Sequence, residues 1–133
     1  MSTITYSSSR QISAEELSQV FARSTIKRPY QDLNRLQTML DNADLTVSAW
    51  DGERLIGIAR ALTDFSYCCY LSDLAVDQEY QHNGIGSRLV ELVREAIGPR
   101  CSLVLISAPD AVGYYPKLGF TLSDKAYVIP RSV

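Results

Sequence analysis

Polar and apolar residues alternate along this chain with two periods, and their order predicts an α+β fold. Residues 2–8 alternate weakly, as an edge strand does. Ser13-Ala14-Glu15-Glu16 reads as a capping box, with Ser13 as N-cap and Glu16 reaching back to it. Leu17, Val20 and Phe21 then fall on one helical face. Pro29 punctuates, and a second helix follows with Leu33, Leu36 and Leu40 on one stripe. Leu45 to Trp50 alternates with period two, and Asp51-Gly52 is a two-residue hairpin signal. Leu55 to Leu62 is the return strand, where Gly57 marks a bulge or a close backbone approach. Residues 67–76 form the next strand. An amphipathic helix follows to about Ile97, where Gly98-Pro99 stops it. The near-continuous apolar run Cys101 to Ile106 predicts a strand at the centre of the sheet. Pro109-Asp110 opens a short helix that ends near Leu118-Gly119, and Tyr127-Val128-Ile129 is a terminal strand. The three middle strands are antiparallel, and the crossover helix makes one parallel junction.

The chemistry is concentrated where the strand ending at Val76 meets the crossover helix. Gln81-His82-Asn83-Gly84-Ile85-Gly86 is a glycine-bearing turn leading into a helix start. Such a turn leaves backbone N–H groups unpaired at the positive end of the helix dipole, which suits phosphate. Gly84 and Gly86 tolerate positive φ and let a ligand touch the backbone. GxxxxGK[ST] is absent, because Ser87-Arg88 follows Gly86. GxGxxG is absent too, because Leu89 stands where the third glycine belongs. The spacing present is Q-x-x-G-x-G, which resembles the acyl-CoA pyrophosphate loop of the GNAT-type N-acetyltransferases. Near the C-terminus, Ala111-Val112-Gly113-Tyr114-Tyr115-Pro116-Lys117-Leu118-Gly119-Phe120 is similar to that family's A-x-x-[FY]-Y-x-x-x-G-F segment. The resemblance spans about residues 45 to 130.

The resemblance implies a GNAT-like α+β fold, a single domain over residues 1–133. Its sheet would be mixed, mostly antiparallel and twisted, flanked by helices. It implies transfer of an acetyl group from acetyl-CoA to a primary amine of a small molecule or a peptide. Gln81, His82, Asn83, Gly84, Ile85, Gly86 and Ser87 would hold the pyrophosphate. Leu74, Ala75 and Val76 would offer backbone groups to the pantetheine arm, with the Leu74 N–H as oxyanion donor. Tyr115 would protonate the departing thiolate, since a phenol stays protonated at neutral pH. Tyr114 points elsewhere and is assigned to packing. Strand alternation sets Asp73 on one face with Leu71 and Ala75, and Tyr70, Ser72 and Leu74 on the other. Asp73, the one carboxylate in that run, is the candidate general base, against a structural role in capping or in pairing with an arginine; a water chain is the other route for the proton. The family often has glycine at the position of His82, a basic residue at Asn83, asparagine at Ala108 and a polar residue at Pro116. A CoA-binding module without turnover is the competing reading. Family members commonly pair into homodimers, and Tyr127-Val128 offers an edge for that.

Composition narrows the rest. A chain of 133 residues makes one domain with a real core. A net charge of −2 gives no basic footprint for nucleic acid. No apolar stretch reaches about 18 residues, so no membrane span is expected. Met1-Ser2-Thr3-Ile4-Thr5-Tyr6 lacks a charged-then-apolar leader design, so the expected compartment is the cytosol. Cys68, Cys69 and Cys101 form no CxxC pattern and read as free thiols rather than metal ligands. His82 is the sole histidine, which argues against a histidine-based triad or a multi-histidine metal site.

Overall fold

Among the described residues, five strands and three α-helices form in the order β1 (Ile4–Ser7), α1 (Ala14–Arg23), α2 (Leu33–Asp41), β2 (Leu45–Asp51), β3 (Arg54–Thr63), β4 (Cys68–Val76), α3 (Ile85–Ile97) and β5 (Ser102–Val104). This is a computed structural model, and residues 3–133 are described. The N-terminal strand is shorter than its sequence pattern; Ser2, where that pattern starts, lies outside the described residues. The sheet runs β1-β2-β3-β4-β5, antiparallel throughout except for the parallel pair β4–β5. This is the single-domain, mixed, mostly antiparallel sheet that the pattern predicts.

Local chemistry sets the element ends. The Ser13 hydroxyl accepts from the Glu16 amide at 3.1 Å, and the Glu16 carboxylate accepts from the Ser13 amide at 3.0 Å, so the capping box forms. Leu17, Val20 and Phe21 are buried on the inner face of α1. Asp32 caps α2 through the Arg35 amide at 3.1 Å. Leu36 is fully buried, but Leu33 is 40% exposed, so the stripe of α2 is narrower than its leucine spacing implies. The β2–β3 turn is Gly52-Glu53, one residue on from the predicted pair, with Gly52 at φ +61°.

Two buried clusters sandwich the sheet. On one face Leu89, Val90 and Val93 of α3 meet Val47, Ile56 and Leu71. On the other, Leu17, Phe21 and Leu36 meet Trp50, Leu55 and Ile58. Each large apolar side chain buried this way contributes roughly 1.5–3 kcal/mol. The pairs Ala49↔Gly57 and Trp50↔Leu55 leave Ile56 as an extra residue, a bulge next to Gly57. At Gly57 itself α3 comes close. A Cβ there would stand 3.3 Å from both Ile85 Cγ2 and Leu89 Cδ1.

Three expectations near the C-terminus are corrected. First, Cys101 to Ile106 is not a central strand. Only Ser102–Val104 pairs, at the edge of the sheet. Leu103 and Leu105 pack toward α3, while Val104 and Ile106 are 49% and 56% exposed. The run is apolar on both faces, yet only one face is covered. Second, the short helix resolves into two 3₁₀ turns, Pro109–Ala111 and Tyr115–Leu118. Pro116 has no amide to give an α-helix and would crowd the preceding turn. Third, Tyr127-Val128-Ile129 makes no strand, and every residue from Thr121 to Val133 is exposed.

Candidate functional site

β4 carries a second bulge. Arg60 pairs with Asp73 and Ala61 with Leu71, which leaves Ser72 without an opposite partner. The extra residue reverses the alternation. Before it, Cys69 and Leu71 face α3; after it, Leu74 and Val76 do, and Ala75 faces α1 and α2. Asp73 therefore shares a face with Ala75 but not with Leu71, and Tyr70 does not share one with Leu74, contrary to simple alternation.

Asp73 is fully buried, and both of its carboxylate oxygens are taken. Arg28 Nε donates to Oδ1 and Arg60 Nε donates to Oδ2. The same two guanidiniums grip the bulge. Arg28 donates to the Ser72 carbonyl at 2.6 Å, and Arg60 to the Ser72 hydroxyl at 3.0 Å. Arg60 also donates to the Met39 carbonyl at 3.4 Å. The α1–α2 connection, α2, β3 and the β4 bulge thus meet at one carboxylate. Which arginines meet Asp73 was not legible: Arg28 lies on the α1–α2 connection, which carries no strand register, and Arg60 lies on β3, whose register with β4 is displaced by the Ser72 bulge.

At the end of β4, Asp77 is buried and closes the strand. Its amide donates to the Ile56 carbonyl at 2.8 Å, so the β3 bulge and the β4 exit are joined. Its carboxylate accepts from the Glu79 amide at 3.0 Å and from Arg54 at 2.9 Å. The alternation that turns the Asp77 and Ala75 amides toward β3 turns those of Leu74 and Val76 the other way. On that side lies β5, whose pairing with β4 ends at Tyr70↔Val104. Beyond that pair the two strands no longer bond, which leaves a fork lined by the outward backbone groups of Leu74 and by the Val76 amide. Ala75, by contrast, spends its backbone on β3.

The loop beyond Asp77 shapes a second set of donors. The Gln81 side chain donates to the Val76 carbonyl, and that of Asn83 donates to the Tyr80 carbonyl, each at 3.1 Å. Both side chains therefore hold the loop rather than reach out from it. His82 and Gly84 take left-handed φ of +69° and +75°. Gly84 is the N-cap of α3, and no side chain caps the helix. Its first helical bond is from the Arg88 amide to the Gly84 carbonyl at 3.0 Å. The amides of Ile85, Gly86 and Ser87 precede that bond and face outward at the positive helix end. Ile85 sends its side chain into the core, His82 is exposed, and Ser87 is half-buried.

The two tyrosines reach in different directions. Tyr115 is half-buried at the start of the second 3₁₀ turn and packs edge-on against Phe120, 5.7 Å between ring centres. Burial pushes its phenol above the ordinary tyrosine value, and the Arg28 charge pulls it back in part. Arg28 thus links this ring to the Asp73 cluster. Tyr114 sets its hydroxyl over the first turn of α3, where a Cβ on Gly86 would come within 2.2 Å of it. Gly86 is needed for this ring as well as for the loop, a contact that the adjacent tyrosines did not reveal. Burial raises the Tyr114 phenol too. Among the described residues no cluster of three histidine, cysteine or carboxylate side chains could hold a metal. Among them, also, no helix is long and apolar enough to cross a membrane.

The residues therefore supply two sets of backbone donors on either side of one turn, a fork and an uncapped helix start, with a phenol on the facing segment. Comparison with known proteins identifies the family. A family model described as an acetyltransferase (GNAT) domain matches residues 8–128. An uncharacterized ycf52-like N-acetyltransferase from Prochlorococcus marinus is 29% identical over 129 residues, covering 92% of this chain and 71% of the relative. A probable acetyltransferase of meticillin-resistant Staphylococcus aureus has a similar structure, with a TM-score of 0.79 at 24% identity, covering 98% of this chain and all of that one. An aminoglycoside N-acetyltransferase in complex with CoA superposes with a TM-score of 0.72 at 17% identity, over the whole of this chain and 97% of that one. These two structural likenesses concern the fold alone.

Proposed function

The chain belongs to the GNAT acetyltransferases, and from that premise we propose that it moves an acetyl group from acetyl-CoA to a primary amine of a small molecule or a peptide. The observation that carries this reading is the fork beside the uncapped start of α3. An extended pantetheine arm can pair with the outward groups of Leu74 and the Val76 amide as an added strand would. A pyrophosphate can take the amides of Ile85, Gly86 and Ser87. Gln81 and Asn83 support that seat from within the loop, Gly84 supplies its left-handed cap, and His82 stands exposed at its rim.

Acetyl-CoA supplies an activated thioester. The attacking amine forms the new C–N bond, and the C–S bond breaks. The Leu74 amide is the donor we assign to the carbonyl oxygen as charge gathers on it, a contribution typically worth ~10²-fold or more. Tyr115 gives its proton to the departing thiolate. The amine must lose a proton as well, and we assign that to solvent rather than to Asp73. A fully buried carboxylate whose two oxygens each accept from a guanidinium is walled off from a substrate amine by those two arginines.

Release of free thiol from acetyl-CoA, followed across a panel of primary amines, tests the reading. Amine-dependent thiol release with a single acetylated product is the expected result. Cosubstrate binding without release for any amine would mean a CoA-binding module instead.

A further inference from the structure

The two ends of the β3–β4 ladder disagree by one residue. At the start of β4, the Cys68 carbonyl accepts from the Asp64 amide at 3.3 Å, so even-numbered residues bond toward β3. Past its end, the Asp77 amide donates to the Ile56 carbonyl at 2.8 Å, so odd-numbered residues do. Strict alternation cannot join these ends without one inserted residue. Ser72 is that residue. Were β4 regular, the Leu74 amide would turn inward to β3, and the fork would lose it. The outward donor therefore depends on the bulge staying where it is.

Two arginines hold that bulge, and they come from different places. Arg60 belongs to the neighbouring strand and takes the Ser72 hydroxyl and Asp73. Arg28 comes from outside the sheet, on the connection of residues 24–32. Ser72 has no opposite residue on β3, and Arg28 donates to its carbonyl at 2.6 Å and to Asp73 Oδ1 beside it. A third bond, to the Lys27 carbonyl at 2.6 Å, steadies the guanidinium itself. The Arg28 side chain is 28% exposed, so a small cation in solution could reach its place. Its charge also acts on the Tyr115 phenol.

We propose that Arg28 is a positioning residue for acetyl transfer: by holding the Ser72 carbonyl and Asp73, it keeps the Leu74 amide turned toward the thioester carbonyl. This role rests on the acetyltransferase reading above. Arg28 acts through the backbone, two residues ahead of the donor, and not by touching either substrate. Remote placement does not make the effect small, because a displacement of about 1 Å in a reacting group's partner can cost ~10²-fold in rate. The pyrophosphate seat on α3 shares none of the Arg28 bonds, so cosubstrate affinity is separable from rate.

Single-turnover rates at saturating acetyl-CoA and amine, with acetyl-CoA Kd measured on the same samples, test this in Arg28→Ala and Arg28→Lys. Arg28→Ala should lose ~10²-fold in rate while its acetyl-CoA Kd holds. Added guanidinium ion, kept below unfolding concentrations, should restore part of that rate. Arg28→Lys keeps the charge but not the planar fork, so its rate should lie nearer to the alanine variant than to the unmodified protein. It also carries the test if Arg28→Ala does not fold. An unchanged rate in Arg28→Ala overturns the proposal and leaves Arg28 a stabilising role only. A full rate in Arg28→Lys overturns it too, because the charge near Tyr115 would then suffice without the fork. An unmodified protein that releases no thiol with any amine is a different failure: it removes the acetyltransferase reading itself, and this role with it.

Discussion

At the scale of single residues, one carboxylate and one phenol carry opposite kinds of weight. Asp73 neutralises Arg60 inside the protein and ties Arg28 to the β4 bulge. Removing one partner of such a pair leaves a buried charge and costs about 3–5 kcal/mol. Asp73→Ala should lose that much in urea denaturation, and Arg28→Ala should lose less, because Arg28 is partly exposed. Tyr115→Phe should do the reverse. It keeps the ring against Phe120 and deletes only the proton, so single-turnover rates should fall by about 10² to 10⁴ while acetyl-CoA affinity holds. Equal single-turnover rates would give that proton to solvent. Burial holds the phenol above its ordinary value, so it stays protonated through neutral and mildly alkaline pH. The alkaline fall of the single-turnover rate should lie above about pH 10 and vanish in Tyr115→Phe. The same raised phenol leaves stability untouched below that range and weakens the fold as pH rises through it. Tyr114→Phe, whose hydroxyl sits over Gly86, should change the rate little.

At the scale of elements, Gly84 is where backbone and ligand demands coincide. A valine there would have to hold φ +75°, a cost of roughly 1–2 kcal/mol, and would put a branched side chain over the amides of α3. Gly84→Val should therefore fold with a lower melting point and show no acetyl-CoA shift; a normal shift would move the phosphate seat elsewhere. Much of this level was legible. The Ser13–Glu16 box, the β2–β3 hairpin, β4 and α3 all come from local signals that no distant contact overrides. The loop from Gln81 to Gly86 was legible for the same reason. The misreadings have a common cause. The Ser72 bulge inserts one residue into β4, and no period-two pattern announces where such an insertion falls. The apolar run in β5 records that its side chains are apolar, but not that one face stays uncovered. Arg28 and Arg60 look like ordinary surface cations until the fold brings them to Asp73.

At the scale of the whole molecule, the donor sets belong to different elements, β4 and α3, so binding at both must stabilise the intact fold. With acetyl-CoA at 100 times its Kd, the gain should be about 2.7 kcal/mol. A rise in melting temperature that grows with the logarithm of ligand concentration is the expected observation. A flat response at millimolar acetyl-CoA would sink the proposed cosubstrate. The relative placement of the two donor sets rests on one absent methyl group. Gly57 lies under Ile85 and Leu89, the residues that seat the first turns of α3 on the sheet. Its bare backbone acts as a gauge, setting how far the helix start stands from the strand beside it. A side chain there would make the Ile85 and Leu89 side chains give way by a few tenths of an ångström, and would disturb the packing that seats the helix start. The span between thioester and pyrophosphate cannot exceed the ligand's own extended covalent length. The protein thus meets a ruler it cannot stretch with a spacing held by the thinnest residue available.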